Sequence, residues 1–412
     1  MNRRQFVSSM AAAWVGSAVS PRALAPPRAA VPRTLNDRFS DLPRHFIFEY
    51  YPWYRADPWF HWDAEERRPP VDLASNYMPQ LGAYDSRATA VMEQHARWIA
   101  ESGAGAINLS WWGQKSSDDA LVHTLMDVMR AHGIRVAFHL EPYDDRHPNN
   151  YASDIEYLIR EYGDRRRWDT FLLLQHADGS VGPVFKSFKT ILPDRQTDCH
   201  GITTAVPDYV PDGIWRQQTD LVRQRLARDF DRITLLADSL SFNRTRAGGF
   251  DGIAIYDNFV QPDSWAAHAR NCSNQDLVFS FNVNPGYDGL LPRTVPADSC
   301  FSPLPFAPGG GVYDWSRASE RARAADASLA RMRESFRTTI ELQTNSALAN
   351  AKQGFFLVYL NSFNEWHEGH QFEPMKDDDR LTPAERAIGY HNPANGRYRL
   401  DALKQLLGTV ID

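Results

Sequence analysis

The sequence predicts an α/β protein built as a single (β/α)8 barrel of the TIM type with elaborated strand–helix loops. Three observations lead there. Short apolar runs recur eight times along the chain, each is followed by a stretch of helical character, and each ends abruptly in aromatic and polar residues. The runs cover 46–51, 106–110, 136–140, 183–188, 233–237, 252–256, 278–283 and 355–360. Candidate helices include 88–102, 118–132, 151–162, 214–227 and 318–353. Strands that are apolar on both faces belong to a parallel sheet covered by helices, and eight of them close into a barrel. For the fourth strand, 171–174 competes with 183–188. A doubly wound open sheet is the alternative, but the first run is not followed by a glycine-rich phosphate loop.

A chain of 412 residues, 43% hydrophobic and 23% charged, suits one globular domain of this kind. The amino terminus reads as a Tat-type export signal over 1–25. Arg3-Arg4-Gln5-Phe6-Val7 precedes a small-residue apolar run from Met10 to Val19, and Ala23-Leu24-Ala25 follows with the spacing of a cleavage site. Pro26 directly after that site leaves the cleavage point open. A Pro- and Arg-rich linker is expected over 26–40, and the barrel over 41–412. The expected location is periplasmic or secreted, in a bacterium. The remaining hydrophobic runs are too short for a membrane span. The net charge of −6, about −9 without the leader's three arginines, disfavours a nucleic-acid partner. Of Cys199, Cys272 and Cys300 at most two can pair, so at least one thiol stays free.

In such barrels the carboxyl ends of the strands carry the chemistry. Here those ends supply Tyr51 and Tyr54, Trp111 and Trp112, Glu141 and Tyr143, and Tyr256 with Asp257. The last supplies Asn364, Glu365, Trp366, His367 and Glu368. Aromatic faces beside carboxylates and amides suit sugars, whose C–H faces stack while their hydroxyls bond. Glycoside cleavage needs one carboxylic acid to protonate the departing oxygen and a second carboxylate as base, nucleophile or charge stabiliser. Glu365 and Glu368 form the best pair. An i, i+3 spacing would put them on opposite faces of a continuing strand, so the chain must turn after Asn364 for both to face one site. Asp85 is either a further sugar ligand or a turn residue, and Asp257 and Asp288 also suit turns. His61, His139, His367 and His370 lack metal-ligand spacing, and neither a metal nor a cofactor is expected.

The ordered set of motifs resembles glycoside hydrolase family 99, the endo-α-mannosidases. It runs from Phe48-Glu49-Tyr50-Tyr51-Pro52-Trp53-Tyr54 through Leu81-Gly82-Ala83-Tyr84-Asp85-Ser86, Ser110-Trp111-Trp112-Gly113 and Glu141-Pro142-Tyr143. It ends in Asn361-Ser362-Phe363-Asn364-Glu365-Trp366-His367-Glu368-Gly369 and Gln371-Phe372-Glu373-Pro374. The resemblance implies internal cleavage of an α-mannoside or related oligo- or polysaccharide with retention and without a metal. It makes Glu368 the general acid and Glu365 a base that deprotonates the sugar's own 2-hydroxyl, giving a 1,2-anhydro intermediate. It further implies that Glu141, Tyr51 and Tyr256 hold the −1 sugar and that Trp111 or Trp112 stacks on the −2 sugar. Glu373, within the last motif, joins the substrate-binding set. This sequence departs from the family at His370, where a small hydroxyl residue is usual, and over 167–211 and 301–343, expected to shape outer subsites. A barrel that binds carbohydrate without cutting it, and a metal-dependent hydrolase, are the competing readings.

Overall fold

The computed structural model describes residues 35–143, 149–164, 167–295, 299–300 and 312–411. The proposed leader, 1–25, lies outside these residues. The barrel strands are β1 (Phe46–Tyr50), β2 (Ala106–Trp111), β3 (Arg135–Leu140), β4 (Val181–Ser187), β5 (Thr234–Ala237), β6 (Gly252–Ala254), β7 (Val278–Ser280) and β8 (Val358–Leu360). Every neighbouring pair from β1 to β7 is parallel, and β1 pairs with β8. The ring is nearly closed by a parallel bridge from Val283 to Leu360, just past the ends of β7 and β8. The ambiguity at the fourth strand has a structural answer. Val181–Ser187 takes the barrel position, and Leu173–Gln175 pairs with it antiparallel as an outlying strand.

At least one helix follows each barrel strand. They include α1 (Thr89–Ser102), α2 (Val122–Ala131), α3 (Tyr151–Tyr162), α4 (Asp212–Leu226), α5 (Phe242–Ala247), α6 (Pro262–Asn274), α7 (Ala318–Thr344) and α8 (Tyr398–Ile411). The helix expected over 318–353 breaks at Asn345, whose extended backbone ends α7, and a short helix, Ala349–Gln353, follows. The linker expected over 26–40 is corrected at its carboxyl end. Leu35–Arg38 is helical, and Leu35 and Phe39 are buried in the main core. Two large apolar side chains four residues apart gain too much by leaving water to remain in a solvated tether.

Strand alternation sorts the side chains. Phe46, Phe48, Ile107, Leu109, Phe138 and Phe185 point outward to the helices. Ile47, Ala106, Ala137, Val184, Leu236 and Ala254 fill the barrel's lower interior. The next inward layer is polar. Glu49 sits in register with Asn108, and His139 with Lys186. Lys186 Nζ lies 2.6 Å from Glu49 Oε1, and His139 Nδ1 and Asn108 Nδ2 lie 3.0 and 2.9 Å from Oε2. Burial pushes the Glu49 carboxyl up, but the Lys186 and His139 charges and hydrogen bonds outweigh it and hold the group ionised well below the usual carboxylate range. This charged floor separates the apolar plug from an aromatic rim containing Tyr51, Trp53, Tyr54, Tyr84, Phe188, Tyr256 and Trp366.

Candidate active site

The chain leaves β8 at Leu360 and turns over 366–369, which brings Glu365 and Glu368 to the same rim. Ser362 Oγ accepts the Glu365 amide at 2.8 Å and fixes where the turn begins. At Gly369 the backbone has φ +68°, and a Cβ there would stand 2.1 Å from the Asp288 carbonyl, so a side chain would displace the loop.

The two acids have different surroundings. Glu368 Oε2 accepts the Tyr256 hydroxyl at 3.2 Å and lies 2.6 Å from His370 Nε2. Glu365 Oε1 accepts the His367 amide at 3.2 Å and faces His367 Nδ1 at 3.9 Å. His367 Nε2 donates to the His61 carbonyl at 2.7 Å, so in the neutral ring Nδ1 is the acceptor. Tyr256 is held through its backbone. Its amide donates to Asp238 Oδ1 at 3.1 Å, and its carbonyl accepts Asn282 and Asn361 amides at 2.9 and 2.7 Å.

Beside Glu368 opens a cavity of about 850 Å³ bounded by Phe188, Asp238, Tyr256, Asp257 and Tyr287. Asp257 accepts the Phe259 amide at 2.7 Å in the turn geometry the sequence suggested. Its side chain also borders the cavity. Burial, with the Asp238 and Glu368 charges, pushes it up to about 7 against the pull of that amide. A second cavity of about 630 Å³ is bounded by Trp112, Gln114, Lys115, Tyr143 and Asp154. Trp112 Nε1 donates to Ser110 Oγ at 3.1 Å, and Ser110 donates to the buried Glu141 at 2.8 Å. Tyr143 donates to Asp154.

Several residues expected to bind substrate instead support the loop. Asn364 clamps the Tyr51 backbone, accepting its amide and donating to its carbonyl, both at 2.8 Å. The Tyr54 hydroxyl accepts the Trp366 amide at 3.0 Å. Trp366 Nε1 and the Tyr84 hydroxyl both donate to Glu373 Oε2, at 2.9 and 2.8 Å, and His95 lies 3.2 Å from Oε1. Trp366 and Glu373 are fully buried behind the acids. Trp111 is corrected outright. Ser110 points inward, so its neighbour points outward, and Trp111 Nε1 donates to Asp119 at 2.8 Å in the helix-side core. Asp85 is a turn residue, bound to the Arg87 guanidinium and to the Ala56 amide. Tyr51 stacks on Trp53 at 4.7 Å inside the rim.

Sequence reasoning passed over Glu49, Lys186 and Asp238. The signal was present in the two-residue period, since an acid inside 46–51 and a lysine inside 183–188 must face inward if their neighbours face the helices. The segments that depart most from the family divide. Arg195–Thr197 and Thr203–Ala205 form a hairpin whose Arg195, Thr197 and Cys199 wall the larger cavity, and a Cys199–Cys300 disulfide fastens it. The described part of 301–343 is mostly α7, which buries Met332, Phe336 and Ile340 against the barrel and so covers the sheet instead of shaping a subsite. Cys272 is the free, buried thiol.

An eight-stranded barrel with two carboxylates on one turn at the strands' carboxyl ends, ringed by aromatics, is the architecture of a glycoside hydrolase. The profile of glycosyl hydrolase family 99 matches residues 44–171. A glycoprotein endo-alpha-1,2-mannosidase-like protein of Danio rerio is 27% identical over 82% of this chain and 74% of its own length. The glycoprotein endo-alpha-1,2-mannosidase of Rattus norvegicus is 25% identical over 83% and 71%. The solved GH99 endo-alpha-mannosidase from Bacteroides thetaiotaomicron superposes with a TM-score of 0.60 at 20% identity, covering 89% of this chain and 97% of that one. The chain is similar to glycosyl hydrolase family 99 and is a glycoside hydrolase.

Proposed function

We propose that the protein is a retaining, endo-acting α-glycosidase that cuts α-mannan or a related α-linked glycan. The observation that carries the reading is the unlike support of two carboxylates on one turn. Glu368 is held by Tyr256 and His370, and Glu365 by Ser362 through its own amide and by the His367 amide. The endo-mannosidase names of the relatives support the linkage class. In the proposed route Glu365 takes the proton of the sugar's 2-hydroxyl and that oxygen attacks the anomeric carbon. The bond to the departing sugar breaks with its electron pair on the leaving oxygen, which takes the proton of Glu368. Water then opens the 1,2-anhydro ring, giving a proton to the Glu368 carboxylate, while Glu365 returns its proton to the 2-oxygen.

Glu365→Gln and Glu368→Gln are each expected to lower cleavage of α-manno-oligosaccharides by about 10²–10⁴-fold. Efficient cleavage of a substrate whose cut-site sugar is 2-deoxy would replace the anhydro route with direct carboxylate attack. Tight glycan binding without cleavage across a broad α-glycan panel would favour the non-catalytic barrel. We also propose export through the amino-terminal leader. The Cys199–Cys300 disulfide supports it, because such bonds persist in oxidising compartments.

A further inference from the structure

We propose that His370 is a positioning residue for the proton donor, holding Glu368 Oε2 through its Nε2–H so that the acid's transferable proton sits on Oε1. The inference rests on the general-acid reading of Glu368. His370 is fully buried, and its Nε2 lies 2.6 Å from Glu368 Oε2. Its Nδ1 has no hydrogen-bond partner among the described residues. A proton on Nδ1 would therefore be a buried donor facing nothing, so the ring's hydrogen is placed on Nε2, where it donates to Glu368. With Nε2 already carrying hydrogen, the Tyr256 hydroxyl, 3.5 Å from Nε2 and 3.2 Å from Oε2, also gives its proton to Oε2. Two donors converge on one oxygen, so in the acid form the proton resides on the other.

As the glycosidic bond breaks, the proton moves from Oε1 to the leaving oxygen, and the charge left on the carboxylate strengthens both bonds to Oε2. His370 loses no proton in the step. The other charged and titratable groups around the pair come from several elements. They are His139 on β3, Lys186 on β4, whose ammonium lies 5.4 Å from the Tyr256 ring, Asp238 after β5, Asp257 after β6, and Glu365 on the same loop.

The test compares wild type, His370→Leu, His370→Gln and Glu368→Gln on an α-manno-oligosaccharide and on a 2,4-dinitrophenyl α-glycoside, whose leaving group needs no proton. Glutamine places an N–H near the position of Nε2 but cannot titrate; leucine has no donor. His370→Leu is expected to lower kcat on the oligosaccharide by about 10–100-fold, the scale of a lost hydrogen bond to a charged group. It should also move the basic limb of the pH profile to higher pH, because the carboxylate loses a donor. Activity on the dinitrophenyl glycoside should change little, and His370→Gln should recover most of the loss. Equal losses of His370→Leu on both substrates, or a folded His370→Gln no better than His370→Leu, would overturn the role. So would wild-type behaviour of His370→Leu beside an inactive Glu368→Gln, which leaves the acid assignment standing. An active Glu368→Gln on the oligosaccharide overturns that assignment and this inference together.

Discussion

Asp257 is held between two requirements. Its carboxyl caps the Phe259 amide, yet burial and the neighbouring charges of Asp238 and Glu368 oppose ionisation and push it up to about 7 from an ordinary 3.8. Between those values the folded chain binds a proton that the unfolded chain does not, so this group's contribution to stability falls as pH rises from about 4 to about 7 and is flat above. Asp257→Asn keeps an acceptor for the amide and cannot ionise. Its thermal midpoint should match wild type at pH 4 and exceed it at pH 8; an equal offset at both pH values would place the effect elsewhere. Glu49 shows the opposite balance. Its charge is deeper, yet Lys186 and His139 make ionisation favourable, and removing one partner of such a pair leaves the other buried and uncompensated.

Among the elements, the loop carrying Glu365 and Glu368 and the 195–205 hairpin differ in how they are fixed. The loop is held by buried partners from the segment just after β1, from the Tyr84 turn and from α1. The hairpin is largely exposed, and Cys199–Cys300 ties it down. Opening that bond with Cys199→Ser should leave kcat on a small aryl glycoside unchanged. It should raise KM for long glycans by about 3–10-fold, the cost of ordering a few wall side chains on binding. Steady-state kinetics on the two substrates would show this, and a fall in kcat on the aryl glycoside would mean that the hairpin supports the acids themselves.

For the whole molecule, a charged layer caps the apolar plug and an aromatic rim sits above it. The same chain carries a disulfide in its cavity wall and a twin-arginine pair at its start. If the leader directs export, Arg3→Lys with Arg4→Lys should retain the protein in the cytoplasm, with Cys199 and Cys300 scored as thiols by alkylation and mass spectrometry. Equal export of the variant would remove the leader from the account.

The eight strands were legible because barrel strands buried on both faces are mostly apolar and their chemistry changes abruptly where they end, as at Leu360 followed by the buried, polar Asn361. The turn expected after Asn364 is present too, over 366–369. What only the tertiary structure decided was which way each neighbour points and what it meets there. Trp111 and Trp112 differ by one residue, and strand alternation sends one into the helix layer and the other to the rim. Asn364, Trp366 and Glu373 look like sugar ligands in sequence, but their partners at Tyr51 and Tyr84 stand some 280 residues away or more. His370 meets Glu368 only because the turn folds it back. Apolar periodicity is a local property that the chain carries wherever it goes, whereas a polar side chain takes its role from whichever distant group the closed barrel places within hydrogen-bond reach.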